Sequence, residues 1–81
     1  MIVNVRLFAR ARDLAGADNL RVRLRDGATV ADLRRALREA APYLGSLLEH
    51  CAIAVANEWA DDTAILPPEA EVALLPPVSG G

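Results

Sequence analysis

The chain has no lysine: all nine of its basic residues are arginine. Among its 81 residues are one cysteine (Cys51), one histidine (His50) and only three aromatics, Phe8, Tyr43 and Trp59. Each scarcity excludes something. A lone cysteine rules out an internal disulfide and fits a reducing compartment. One histidine and one cysteine do not make a ligand set, so no metal site is expected. The two are also neighbours, and at the start of a strand neighbouring side chains point to opposite faces. They therefore do not form a nucleophile–base pair. Cys51 is read as small core filler and His50 as a surface residue at an element end. With so few rings the core must be assembled from Val, Leu, Ile and Ala, and stacking platforms for single-stranded nucleic acid are missing.

The apolar stretch in the opening "MIVNVRLF" is too short to span a membrane, and it lacks the basic lead and cleavage site of a signal peptide. A cytoplasmic location is the expectation. No glycine-rich phosphate loop precedes a helix, and repeats, linkers and low-complexity segments are absent. The chain shows no self-contained active site.

What is present is the composition of a single small globular domain. Hydrophobic residues make up 53%, charged residues 25%, and the formal net charge is -2. A domain of this length buries only about 60% of its unfolded surface. The slightly acidic balance gives no support for nucleic acid as a partner, and no membrane association is expected.

The hydrophobic pattern sets out an order of elements. "IVNVRLF" alternates, with Val3, Val5 and Leu7 on one face, and predicts a half-buried strand. "ARARDLAG" predicts a short helical segment stopped at Gly16. "NLRVRLRD" alternates again, with Leu20, Val22 and Leu24 inward and Arg21, Arg23 and Arg25 outward. The main helix lies in "DGATVADLRRALREAAP", where Val30, Leu33, Leu37 and Ala40 fall at helical spacing. Thr29 is its N-cap, Asp32 stands at the capping-box position, and Pro42 ends it. "PYLGSLLEH" is ambiguous between loop and helical turn. "CAIAVANEW" predicts a third strand, "DDTAIL" a short peripheral one and "EVALL" the last, with Leu75 on the face opposite Val72 and Leu74. Two strands, a helix and further strands make an α+β protein of the ubiquitin-like β-grasp pattern. The expectation is a mixed sheet of four to five strands with one main helix packed on one face.

Two charged groups invite functional readings. The row Arg21, Arg23, Arg25 is either a solvated or charge-protected strand face or a contact for a partner's acidic surface. Asp61 and Asp62 are consecutive acids in a turn, which are ordinarily solvated.

The ending "PPVSGG" is different in kind. Pro76 and Pro77 favour an extended backbone and cannot continue a sheet ladder from their nitrogens. At about 3.1 Å per residue the six residues reach roughly 19 Å. Residues 1–75 are thus expected to form the domain and 76–81 an extended tail. Gly80 and Gly81 leave no side chain around a terminal carboxylate, so this end is slim enough to thread a partner's channel. A carboxylate is a poor electrophile. Activation by ATP to an acyl-adenylate would supply a leaving group, after which a sulfur or amine nucleophile attacks.

The segments "LFARARDLAG", "VANEWADD" and "EVALLPPVSGG" resemble the β-grasp sulfur-carrier family that includes the small subunit of molybdopterin synthase. The likeness covers essentially the whole chain, and "PPVSGG" is its most specific part. "LPPEAEV" departs from it, since the family commonly has an Asp-Gly-Asp-Glu-Val type of turn before the last strand. The resemblance implies that Gly81 is adenylated by a partner activating enzyme that uses ATP, and is then converted to a thiocarboxylate. The tail, Pro76, Pro77, Val78, Ser79 and Gly80, would insert into the large synthase subunit and deliver sulfur to a cyclic pyranopterin precursor. Catalytic side chains would belong to the large subunit, and this chain would hold no permanent cofactor.

For docking, Phe8 and Leu75 are expected to face away from the helix, with Trp59 near them, as an exposed apolar patch. Phe8 has a second use open to it, packing beneath the "ARARDLAG" turn. Two other functions compete. A sulfur carrier for thiamine thiazole synthesis shares the fold and the diglycine, but such chains are usually shorter and lack the first helical segment. A ubiquitin-like binding module would leave the tail inert. In a protein modifier, the missing lysines would prevent chains built through its own lysine side chains.

Overall fold

The computed structural model describes residues 1–77. Strand β1 (Ile2–Leu7) alternates exposed and buried residues without a break, so Val3, Val5 and Leu7 enter the core. After it the chain turns through helix α1 (Ala9–Ala15), which ends at Gly16 with φ 67°. That left-handed position favours glycine, which has no Cβ to clash. Strand β2 (Asn19–Arg23) then pairs antiparallel with β1, placing Val22 opposite Val3 and Leu20 opposite Val5. The strand stops at Arg23. Leu24 remains half-buried, while Arg25 leaves the sheet and pairs with Asp32 at 2.9 Å.

Helix α2 (Val30–Ala40) carries the capping box. The Asp32 N–H donates to Thr29 Oγ1 at 3.3 Å, and the Thr29 N–H donates to Asp32 Oδ2 at 2.9 Å. Two otherwise unpaired donors at the helix start are satisfied by this exchange. Its buried residues Val30, Leu33 and Leu37 share one core with Val3, Val5, Leu7 and Val22 from the first hairpin and Ile53, Val72 and Leu74 from the later strands. Truncating a fully buried leucine such as Leu33 to alanine costs about 2–5 kcal/mol in cores of this kind. "PYLGSLLEH" resolves into a 3-10 turn (Pro42–Leu44) and a short helix α3 (Leu47–His50).

The later strands depart from the sequence expectation. "CAIAVANEW" is two strands, β3 (Ala52–Val55) and β4 (Glu58–Ala60), with Val55 paired to Glu58. Between them Ala56 and Asn57 adopt φ of 51° and 67°. Positive φ at both central residues matches the natural strand twist and closes a two-residue hairpin. An alanine gives no hint of that in the sequence. "DDTAIL" is a turn rather than a strand: the Asp61 carboxylate accepts from the Thr63 N–H at 2.9 Å and from its hydroxyl. Ile65 contributes only an isolated bridge to Thr29. The divergent "LPPEAEV" segment closes with the Ala70 N–H donating to the Pro67 carbonyl at 3.3 Å and Glu69 at φ 62°. With Pro68 second and a positive φ third, this is a type II turn.

Strand β5 (Glu71–Leu75) runs parallel to β1 and antiparallel to β3, giving the order β2-β1-β5-β3-β4. The mixed five-stranded sheet with α2 on one face is the expected architecture. First and last strands lie side by side at its centre.

Candidate functional site

Among the described residues no three His, Cys, Asp or Glu cluster to hold a metal. Among the same described residues no helix is long and apolar enough to cross a membrane. Cys51 is buried at the end of α3, where its thiol donates to the Leu47 carbonyl at 3.2 Å, while His50 is exposed. Burial pushes the Cys51 thiol up, and the nearby Arg34 cation only partly offsets this. A protonated, buried thiol is a poor nucleophile. The consecutive acids also diverge. Asp61 is held by Thr63, whereas Asp62 receives the Arg34 Nε at 2.9 Å.

Arg34 was not marked by the sequence, yet it ties three elements together. Its Nη1 donates to the Leu48 carbonyl and its Nη2 to the Cys51 carbonyl, each at 2.9 Å. With the Asp62 bond, α2 is pinned to the end of α3, the entry to β3 and the loop after β4. A polar residue beside Leu33 on a helix is the only sequence hint.

Among the described residues, the sheet face opposite α2 carries no helix. Strand register lines up its outward residues. Arg6 stands opposite Ala73, Ala73 opposite Ala54 and Ala54 opposite Trp59; one step along, Leu75 stands opposite Ala52. Trp59 is 73% exposed on the edge strand. Phe8 follows Leu7, the last residue of β1 paired with β5, and is level with Leu75. Its backbone is still extended, at φ -130° and ψ 155°, and Ala9 then turns sharply at φ 50°. The half-buried ring lines a shallow cleft with Arg6, Ala54, Glu71 and Ala73 on the open face. The Arg6 guanidinium carbon lies 5.7 Å from the ring centroid. Of the two uses open to Phe8, the structure shows the open-face placement. The structure thus brings Phe8, Leu75 and Trp59 to one face. Ala52, Ala54 and Ala73, which sequence reading passed over, make the floor between them. Their alternation with Ile53, Val72 and Leu74 was the available signal.

From this face the chain leaves β5 at Leu75 through a half-buried Pro76 and an exposed Pro77. Val78, Ser79, Gly80 and Gly81 lie outside the described residues. The root of the tail therefore borders the apolar patch. Whatever surface covers the patch also meets the start of the tail.

Comparison with known proteins finds relatives over the full length of the chain. The model of the ThiS family matches residues 5–81. The molybdopterin synthase sulfur carrier subunit of Chlamydomonas reinhardtii is 36% identical over 83 residues, covering 100% of both chains. The crystal structure of SAMP1 from Haloferax volcanii, a small archaeal modifier protein, superposes with a TM-score of 0.88 at 31% identity over 100% of both chains. A chain of the complex of subunits 1 and 2 of the molybdopterin-converting factor of Helicobacter pylori gives a TM-score of 0.71 at 29% identity, again over 100% of both.

Proposed function

The chain belongs to the ThiS family, and from that membership we propose that it is the sulfur carrier subunit of a molybdopterin synthase, working in the cytoplasm in molybdenum cofactor biosynthesis. The observation that carries the reading is the full-length likeness to a sulfur carrier subunit, in a chain whose last strand runs through two prolines into Gly80 and Gly81. The fold supports it by setting the tail root at the rim of an exposed apolar face.

In this reading the Gly81 carboxylate attacks the α-phosphate of ATP on a separate activating enzyme, and pyrophosphate leaves. The acyl-adenylate then meets hydrosulfide; a C–S bond forms, AMP departs with a proton released, and Gly81 carries a thiocarboxylate. Docked on the large subunit through Phe8, Leu75 and Trp59, the chain threads Pro76, Pro77, Val78, Ser79 and Gly80 toward a cyclic pyranopterin, which takes the sulfur; water then cleaves the acyl C–S bond and returns Gly81 to a carboxylate. The reaction asks nothing further of this chain's side chains. Glycine at the reacting carbon leaves the approach least hindered.

A second reading follows from the likeness to an archaeal modifier protein. The same adenylate attacked by an amine would form an amide with another protein. With no lysine in the chain, such a modifier would not extend chains through its own lysine side chains.

Intact mass after incubation with ATP, the activating enzyme and a sulfur source distinguishes these outcomes, provided the C-terminal peptide is fragmented. Sulfur in place of oxygen at Gly81 supports the carrier. An unmodified Gly81, with the enzyme shown to act on a known carrier, overturns it.

A further inference from the structure

The helix-free face has a second half with a different chemistry. Arg25, Arg34, Arg35 and Arg38 all form ion pairs within the chain. Arg6, Arg21 and Arg23 form none among the described residues, and all three are exposed. Register gathers them on the open face. Arg21 stands opposite Asn4, Arg23 opposite Ile2 and Arg6 opposite Asn19, so Arg6 and Arg21 are diagonal neighbours and no two arginines face each other directly. Diagonal positions lie about 7–8 Å apart. Two acids lie beside them: Glu71, opposite Asn4 from the other side, and Glu39 of α2, which lines a groove at the sheet edge with Arg21 and Arg23. The three arginines less Glu39 and Glu71 leave this strip at +1, in a chain whose net charge is -2.

The strip is continuous with the apolar patch. Arg6 touches both halves: its guanidinium stacks toward Phe8, and it stands opposite Ala73 on β5. Strands are about 4.8 Å apart, so β2 lies roughly 10 Å from β5, within a Debye length at moderate salt. Size points the same way. A stable partner covers about 800 Å² on each side, near a sixth of the 5158 Å² exposed here. Three alanines, Phe8, Leu75 and Trp59 are too few to fill that area, so a partner seated on them extends onto the strip. Laying apolar surface there would strip water from three arginines without return.

We propose that the large subunit binds this face with an acidic segment laid across Arg6, Arg21 and Arg23, beside its apolar contact at Phe8, Leu75 and Trp59. The proposal rests on the synthase reading above. The acidic contact steers the encounter and sets the register of the docked sheet, so that the tail root points the same way at every encounter. Such contacts act mainly on the association rate and on its salt dependence.

The test is stopped-flow association of the full chain with the purified large subunit at about 50 mM and about 500 mM salt. R21E/R23E is expected to slow association about tenfold or more at the lower salt, with the difference shrinking at the higher. R21K/R23K keeps the charge and is expected to associate like the unaltered chain, which also separates charge from folding. Association unaffected by R21E/R23E at either salt would overturn the acidic contact while leaving the synthase reading intact. A strip that instead bound single-stranded RNA, with RNA displacing no large subunit, would overturn it too. Failure of the unaltered chain to bind the large subunit at all would remove the reading underneath.

Discussion

Phe8 and Leu75 come level with each other at the end of the central parallel pair, one residue beyond the partners Leu7 and Leu74. They are 67 positions apart in the chain, yet they form one edge of the apolar face from which the tail departs. The sharp turn at Ala9, with φ 50°, folds α1 back and leaves the Phe8 ring on the open side of the sheet.

If this edge docks the large subunit, a charge placed there has to be desolvated without a partner. Phe8→Arg and Leu75→Arg are each expected to weaken binding by about 2 kcal/mol, roughly thirtyfold. Titration calorimetry measures this directly. Both residues are only half-buried, so the variants should keep the thermal unfolding of the parent chain to within a few degrees. Unchanged affinity in both would make the patch ordinary surface.

The Arg34 side chain, only 16% exposed, makes three hydrogen bonds of 2.9 Å. Arg34→Ala leaves the Cys51 carbonyl without that donor and unties α2 from the entry to β3. A loss of about 1–3 kcal/mol in urea unfolding is expected. Arg34→Lys should recover only part, because an ammonium cannot reproduce the planar fork.

Acid should weaken the fold through Asp32 and Asp61. Hydrogen bonds from the Thr29 backbone and side chain, helped by Arg25 and Arg35, hold Asp32 below its ordinary value of 3.8. The Thr63 side chain and backbone do the same for Asp61, also from 3.8. Both groups take up protons more readily unfolded than folded. Their stabilisation is therefore present in full above the ordinary carboxylate value and is lost as pH falls through the lowered folded values. Urea midpoints measured from pH 5 down to pH 2.5 should drop below about pH 4. In Asp32→Asn with Asp61→Asn the drop should be shallower.

Two turns hold side chains where glycine is preferred. Glu69 at φ 62° is third in the type II turn, and Ala56 at φ 51° is first in the β3–β4 hairpin loop. A left-handed residue with a Cβ costs about 1–2 kcal/mol, and the added freedom of an unfolded glycine offsets part of the gain from removing it. Glu69→Gly and Ala56→Gly are each expected to stabilise by about 0.5–1 kcal/mol in chemical denaturation. Destabilisation by either would mean that its side chain makes contacts that outweigh the strain.

Local chemistry made several features legible. The alternation of Val3, Val5 and Leu7 marked β1, Gly16 closed α1, and Thr29 with Asp32 announced α2. These signals act within a few residues, between a side chain and its own backbone or along one face. The hairpin hidden in "CAIAVANEW" was not legible, because Ala56 adopts its left-handed turn only where pairing of β3 with both β4 and β5 compensates the strain. The turn in "DDTAIL" was missed for a similar reason: Asp61 bonds Thr63 instead of leaving the segment extended.

The sequence by itself determined where the last strand stops, since Pro76 and Pro77 fix their own φ and carry no N–H for a ladder, without help from any neighbour. It also determined which side of each strand is apolar. Only the tertiary structure decided what those sides meet. Parallel pairing of β1 with β5 set Phe8 beside Leu75, the β3–β4 turn swung Trp59 onto the same face, and β1–β2 register gathered Arg6, Arg21 and Arg23 next to them. Such neighbours are far apart in the chain. They are fixed by burying one shared core, whose free energy no single segment supplies.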